Sequence, residues 1–223
     1  MKLRTTFATA AGLSIVFSSC VGGRSDDIAE ITYESLGVSD CVVWIHGKTD
    51  RGTEPLVRDG RGELSPHGNA RVGDGLEWQY ATEGEYTTAR NGVAATIDAS
   101  GCEQVVLSGF SNGGAFVGKM YCRGESFDGR LRGVVIDDPV PDRAVVECSP
   151  NVTVSLALYW TGGLDEAAQP GAECAPIEWT CEGDLLLGID AYARELRTPV
   201  LASPFSEHKW NRDTPKVDEW LGR

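Results

Sequence analysis

The stretch VVLSGFSNGGAF, residues 106 to 117, limits the possible folds more than any other part of the chain. An apolar, β-branched run ends at Ser111, which stands between Gly109 and Gly113, and a segment with helical character begins at once. A strand that turns directly into a helix forces the residue at the bend into a strained backbone conformation. The two elements then approach so closely that positions two residues either side of the bend have no room for a side chain, a demand that glycine meets. The turn lifts the Ser111 hydroxyl clear of the strand, at a helix start whose N–H groups and dipole favour negative charge.

The rest of the chain repeats the same alternation. CVVWIHG, residues 41 to 47, is a short apolar run closed by glycine and reads as a buried strand. Residues 48 to 77 are rich in Gly, Arg, Asp and Pro with little periodicity, and read as long loops. EYTTARNGVAATIDASG predicts a helix with Ala89, Val93 and Ile97 inward and Gly101 as its stop. EQVVLSGFS is the second strand, NGGAFVGKMYC a helix, LRGVVIDDP a third strand and VTVSLALYWTGG a fourth. DLLLGIDAYARELR reads as an amphipathic helix, TPVLASPF as a fifth strand and TPKVDEWLGR as a closing helix. Strands separated by helices imply right-handed crossovers, giving a three-layer α/β/α sandwich around a mostly parallel sheet. Such sheets place ligand sites beyond the C-terminal ends of their strands, where Ser111 falls.

The first nineteen residues differ in character from the rest of the chain: Lys2 and Arg4, then the apolar FATAAGLSIVF, then small residues leading into Cys20. This is the pattern of a secretory signal, with a lipobox-like end in which Cys20 becomes a lipid anchor. Residues 20–36 read as a tether and 37–223 as one domain. Of seven cysteines, setting Cys20 aside leaves an even set, Cys41, Cys102, Cys122, Cys148, Cys174 and Cys181, suited to full pairing in an oxidising compartment. The formal net charge of −13 argues against nucleic acid or an anionic membrane surface as partner.

The Gly-Phe-Ser-Asn-Gly run between strand and helix, together with VVWIHGK, resembles the α/β-hydrolase superfamily over most of residues 41 to 223. The segment before Cys41 is too short for the full strand set of larger relatives, so the resemblance implies a reduced sheet. It also implies that Ser111 is a nucleophile and that the backbone N–H groups of Lys48 and Asn112 form an oxyanion hole, with His46 bracing the loop. A serine hydroxyl needs a base oriented by an acid. Of three histidines, the order Ser, acid, His selects His208 over His46 and His67. For the acid, Asp165 in YWTGGLDE is favoured, with Asp137 and Asp138 in VVIDDP as rivals and Glu166 as a further option. No metal and no organic cofactor is called for by this chemistry.

The strand order of the resembled fold implies three disulfides, Cys41 to Cys102, Cys122 to Cys148 and Cys174 to Cys181. Only PVPDRAVVECSPN lies where many members insert a lid, which implies an open site bounded by residues 48 to 77 and 164 to 183. Phe110, Trp160, Trp179 and Trp210 lie close in sequence to the site elements, as an acyl-binding surface or as ordinary core. Small size, export, disulfides and the missing lid are similar to compact cutinase-like esterases. The expected activity is hydrolysis of small-molecule or polymeric carboxylic esters. A peptidase, thioesterase or acyltransferase on the same fold, and a non-catalytic surface module, are the alternatives.

Overall fold

The computed structural model describes residues 31–150, 153–162, 169–174 and 181–223. The signal segment, Cys20, Asp165, Glu166 and Trp179 lie outside the described residues. Residues 31–223 form one compact unit.

Nine strands and four α-helices succeed one another in chain order among the described residues: β1 (Asp40–Ile45), β2 (Thr53–Arg58), β3 (Arg61–Ser65), β4 (Ala70–Val72), β5 (Gly75–Glu77), α1 (Glu83–Ser100), β6 (Gln104–Phe110), α2 (Asn112–Cys122), β7 (Leu131–Asp137), β8 (Ser155–Trp160), α3 (Ile189–Leu196), β9 (Val200–Ala202) and α4 (Pro215–Trp220). Seven strands make one sheet in the order β2-β3-β1-β6-β7-β8-β9. Every pairing in it is parallel except that of β2 with β3. One face carries Val43, Ile45, Val105, Leu107, Val134 and Ile136 against α1, α2 and α3. The other carries Val42, Trp44, Val106, Val135, Ala157 and Tyr159 under Val217 and Leu221. This is the expected three-layer, mostly parallel sandwich.

Two expectations need correction. Residues 48 to 77 do not run as loops: they contain β2 and β3, which extend the main sheet, and the separate β4–β5 hairpin. The edge strand β2 is almost wholly exposed and carries Glu54, Pro55 and Arg58, so no alternating apolar signal marks it. The helix read over residues 184 to 197 occupies only Ile189–Leu196. Gly188 begins it at φ 74°, and the residues before it pair in extended form, Leu186 N–H donating to Ala172 O and Leu187 N–H to Pro141 O.

The central helix α1 forms as the pattern predicts. Thr82 and Glu85 make a reciprocal capping box at its start, and Gly101 closes it in the left-handed conformation. Ala89, Val93 and Ile97 lie on its buried face. The disulfides are Cys41–Cys102, Cys122–Cys148 and Cys174–Cys181. The first ties the base of β1 to that of β6, strands that are hydrogen-bonded neighbours.

Candidate active site

Ser111 sits between β6 and α2 with φ 54° and ψ −121°, a conformation that costs a non-glycine residue of order 1–3 kcal/mol. The flanking glycines explain how the bend is possible. A methyl group on Gly113 would lie 2.3 Å from the carbonyl oxygens of Ile45 and His46, and one on Gly109 would lie 2.5 Å from the Gly113 carbonyl. The strained residue is fixed from both sides: its N–H donates to Asp137 O at 3.1 Å, and its carbonyl accepts from Ala115 and Val140.

Asn112 opens α2 and is buried. Its amide clasps the backbone of Trp78, the oxygen accepting from Trp78 N–H at 2.7 Å and the nitrogen donating to Trp78 O at 3.1 Å. Beyond β1, Gly47 lies against the bend, so that a methyl there would come within 3.3 Å of Ser111 Cβ and 3.2 Å of the Phe110 ring. Lys48 is the next residue. Among the described residues, neither its backbone N–H nor that of Asn112 donates to an acceptor.

His46 is fully buried and braces this loop. Its Nδ1 donates to Gly47 O at 2.7 Å while its Nε2 accepts from Gly68 N–H at 3.0 Å, a pairing that requires the neutral Nδ1–H tautomer. Burial lowers its pKa in agreement with that assignment. Trp78 Nε1–H donates to His46 O at 3.0 Å. Gly68 and Trp78 are not legible as site residues in the sequence, because they enter through the β4–β5 hairpin and its flanks, in and beside the stretch that shows no periodicity. His67 accepts from Gly52 N–H at 3.0 Å within the same stretch.

His208 lies between β9 and α4, with its ring stacked on Phe110 at a centroid distance of 4.4 Å. Phe110 immediately precedes Ser111, so the imidazole is held beside the bend. Its Nδ1 lies 2.6 Å from Asp138 Oδ2. Asp138 comes directly after β7 in the left-handed region at φ 46°, a conformation Asp adopts more readily than most residues. It is fully buried and also accepts from Thr161 N–H at 3.0 Å and Thr161 Oγ–H at 2.6 Å. The carboxylate in contact with His208 is thus Asp138, one of the two VVIDDP rivals, in the place for which the sequence pattern favours Asp165. In the neutral imidazole, donation of Nδ1–H to Asp138 leaves the lone pair on Nε2.

Neither a protein-family model nor a curated protein sequence matches this chain. Solved structures do. A carboxylesterase from Bacillus cereus superposes over 89% of this chain and 96% of its own, with a TM-score of 0.55 at 13% identity. The protein TT1662 from Thermus thermophilus does so over 85% and 92%, with a TM-score of 0.51 at 13% identity. The fold is that of the α/β-hydrolases.

Two further carboxyls of this α/β-hydrolase fold are buried, one beside the candidate site and one under the segment after Cys181. Asp137, the last residue of β7, is completely buried, and burial is the main reason its pKa is pushed up to about 7. Its Oδ2 accepts from Asn211 N–H at 2.5 Å. Asp142 is also completely buried, and its pKa is pushed up to about 6, again chiefly by burial. It accepts from Tyr80 O–H at 2.9 Å, Glu182 N–H at 2.7 Å and Ala144 N–H at 3.0 Å. Lys119 of α2, buried between the Tyr80 and Tyr86 rings, donates to Tyr80 O at 2.6 Å and pairs with Glu182. This second cluster fastens the segment after Cys181 to α2. Of the aromatic candidates, Phe110 and Trp210 stack on each other at 5.7 Å, and Trp160 is half-buried at the end of β8.

Proposed function

We propose that the protein is a serine hydrolase that cleaves carboxylic esters through an acyl-enzyme, with Ser111 as nucleophile, His208 as base and Asp138 as the orienting acid. The observation that carries this reading is the Asp138–His208 contact at 2.6 Å with the imidazole stacked beside the residue that precedes Ser111. Asp138 takes the acid's role over Asp165 because it touches the imidazole.

The steps come from the chemistry of the groups. Nε2 of His208 takes the Ser111 proton as the oxygen attacks the acyl carbon, and Asp138 stabilises the imidazolium that forms. The backbone N–H groups of Lys48 and Asn112 receive the oxyanion at the start of α2, where the helix dipole adds to them. His208 then returns its proton to the leaving alkoxide, and water repeats the sequence to release the acid. Gly47 fits this scheme because a side chain there would intrude on Ser111 and Phe110. Esters are preferred over amides in this reading because the Bacillus cereus protein that shares the fold is a carboxylesterase.

Export is part of the same proposal, with Cys20 as a lipid anchor. The three disulfides support an oxidising compartment, and no described helix is long and apolar enough to cross a membrane. The decisive experiment treats the purified protein with a fluorophosphonate probe and then assays a panel of esters, amides and thioesters. Labelling of the wild type, lost in Ser111→Ala and His208→Ala, with ester turnover, supports the reading. Amide turnover without ester turnover makes the protein a peptidase, and absence of labelling makes it a non-catalytic module.

A further inference from the structure

The residue beside the candidate acid makes two connections that the proposed chemistry leaves unused. The backbone carbonyl of Asp137 accepts from Ser111 N–H at 3.1 Å, and its carboxyl accepts from Asn211 N–H at 2.5 Å, three residues beyond His208. One residue therefore touches both the bend that carries the nucleophile and the loop that carries the base. That loop, between β9 and α4, is tied to the sheet at Ser203, whose N–H donates to Trp160 O, at His208, which meets Asp138, and at Thr214, whose hydroxyl donates to Tyr159. Its ring contacts there are His208 and Trp210 on Phe110 and Trp210 on Trp44.

We propose that Asp137 is a positioning residue for His208, acting through the Asn211 N–H to hold the base loop in register with Ser111. This rests on the serine-hydrolase reading. Asp137 is completely buried, and its second oxygen, Oδ1, has no hydrogen-bond partner among the described residues. A buried carboxyl with one partner is costly to keep unless it does something for the fold or the site. In the sheet its neighbours are Phe110 on β6 and Tyr159 on β8. The charged or titratable groups acting on it are Asp138, which raises its pKa, and His208, which lowers it. Near neutrality Asp137 passes from the neutral to the anionic form, and the anion adds negative charge beside the imidazolium that forms during attack.

The test compares wild type, Asp137→Ala and Asp137→Asn by fluorophosphonate labelling rate across pH, and by the downfield Nδ1–H proton resonance of His208. The Ala variant removes the acceptor for Asn211 N–H, so labelling should slow by about tenfold to a hundredfold, as expected when a catalytic group is misplaced by about an ångström. The Nδ1–H resonance should weaken or disappear. Asn keeps a carbonyl acceptor and should restore most of the rate at pH 6. The ratio of wild-type to Asn rates should then grow by about threefold to tenfold as pH passes 7, because only Asp gains the charge. A wild-type rate and resonance in the Ala variant would overturn the proposal. If that variant does not fold, Asn211→Pro, which removes the donated N–H, takes its place, and a wild-type rate and resonance in it overturn the proposal. If the wild type itself is not labelled, the serine-hydrolase reading fails, and the His208 resonance still reports whether Asp137 positions the ring.

Discussion

The two halves of the candidate site are built differently. The Ser111 side is continuous in sequence through β6, the bend and α2, and its glycines are demanded by backbone packed against them, that of Gly113 for Gly109 and that of Ile45 and His46 for Gly113. The Asp138–His208 side is assembled from residues 70 positions apart, joined by side-chain hydrogen bonds and ring stacking. The first half is fixed by steric exclusion, which a short sequence can encode. The second depends on where a distant loop lands, which no short sequence encodes.

The sharpest way to test this contrast is to remove one group from each half. Ser111→Ala should lower ester turnover by on the order of 10⁶-fold, and Asp138→Asn by about 10⁴-fold, since the amide favours the wrong imidazole tautomer. Asp165→Asn, assayed beside them, should stay within about threefold of wild type if Asp138 is the orienting acid. The reverse order of the two Asp variants would mean that His208 takes a different partner during turnover.

In stability the contrast takes another form. The disulfide Cys41–Cys102 spans 61 residues beneath the Ser111 half, whereas Cys174–Cys181 spans 7. On loop-entropy grounds, removing the first should cost about 4 kcal/mol and removing the second about 2 kcal/mol. Gly113→Ala drives a methyl into the carbonyls of Ile45 and His46, and should cost about 1–3 kcal/mol by chemical denaturation, as overpacking does.

A further effect is gradual and follows pH. Asp137 keeps its proton up to about 7 in the folded protein, whereas an exposed carboxyl in the unfolded chain releases it near 4. The folded state therefore holds the extra proton between those values, and stability should fall as pH rises through that window, by at most about 1.4 kcal/mol per pH unit from this group. Asp142 contributes with the same sign over a narrower window, ending near 6. Urea titrations at several pH values would measure the slope, and Asp137→Asn should flatten most of it.

What is legible in the sequence divides along the same line. The strand at Cys41, the helix closed by Gly101, the bend at Ser111 and the choice of His208 all rest on local patterns or chain order. The edge strands in residues 48 to 77 leave no such mark, because an exposed edge needs no apolar alternation. Gly68 is hidden because its contribution is a backbone N–H to His46, and Trp78 because it meets Asn112 through its backbone and the His46 carbonyl through its indole, from a stretch with no periodic signal. The acid stays among several candidates for a related reason. An aspartate at the end of either of two neighbouring strands satisfies the same chain order, and only the path of the returning loop separates them.

Asp138 accepts two bonds from Thr161 in addition to the one from His208. Its carboxyl consequently has hydrogen-bond donors on the sheet that do not depend on the imidazole. The acceptor of the candidate pair is therefore tied to the sheet independently of the loop that carries His208: a socket on the strands, a plug on the loop.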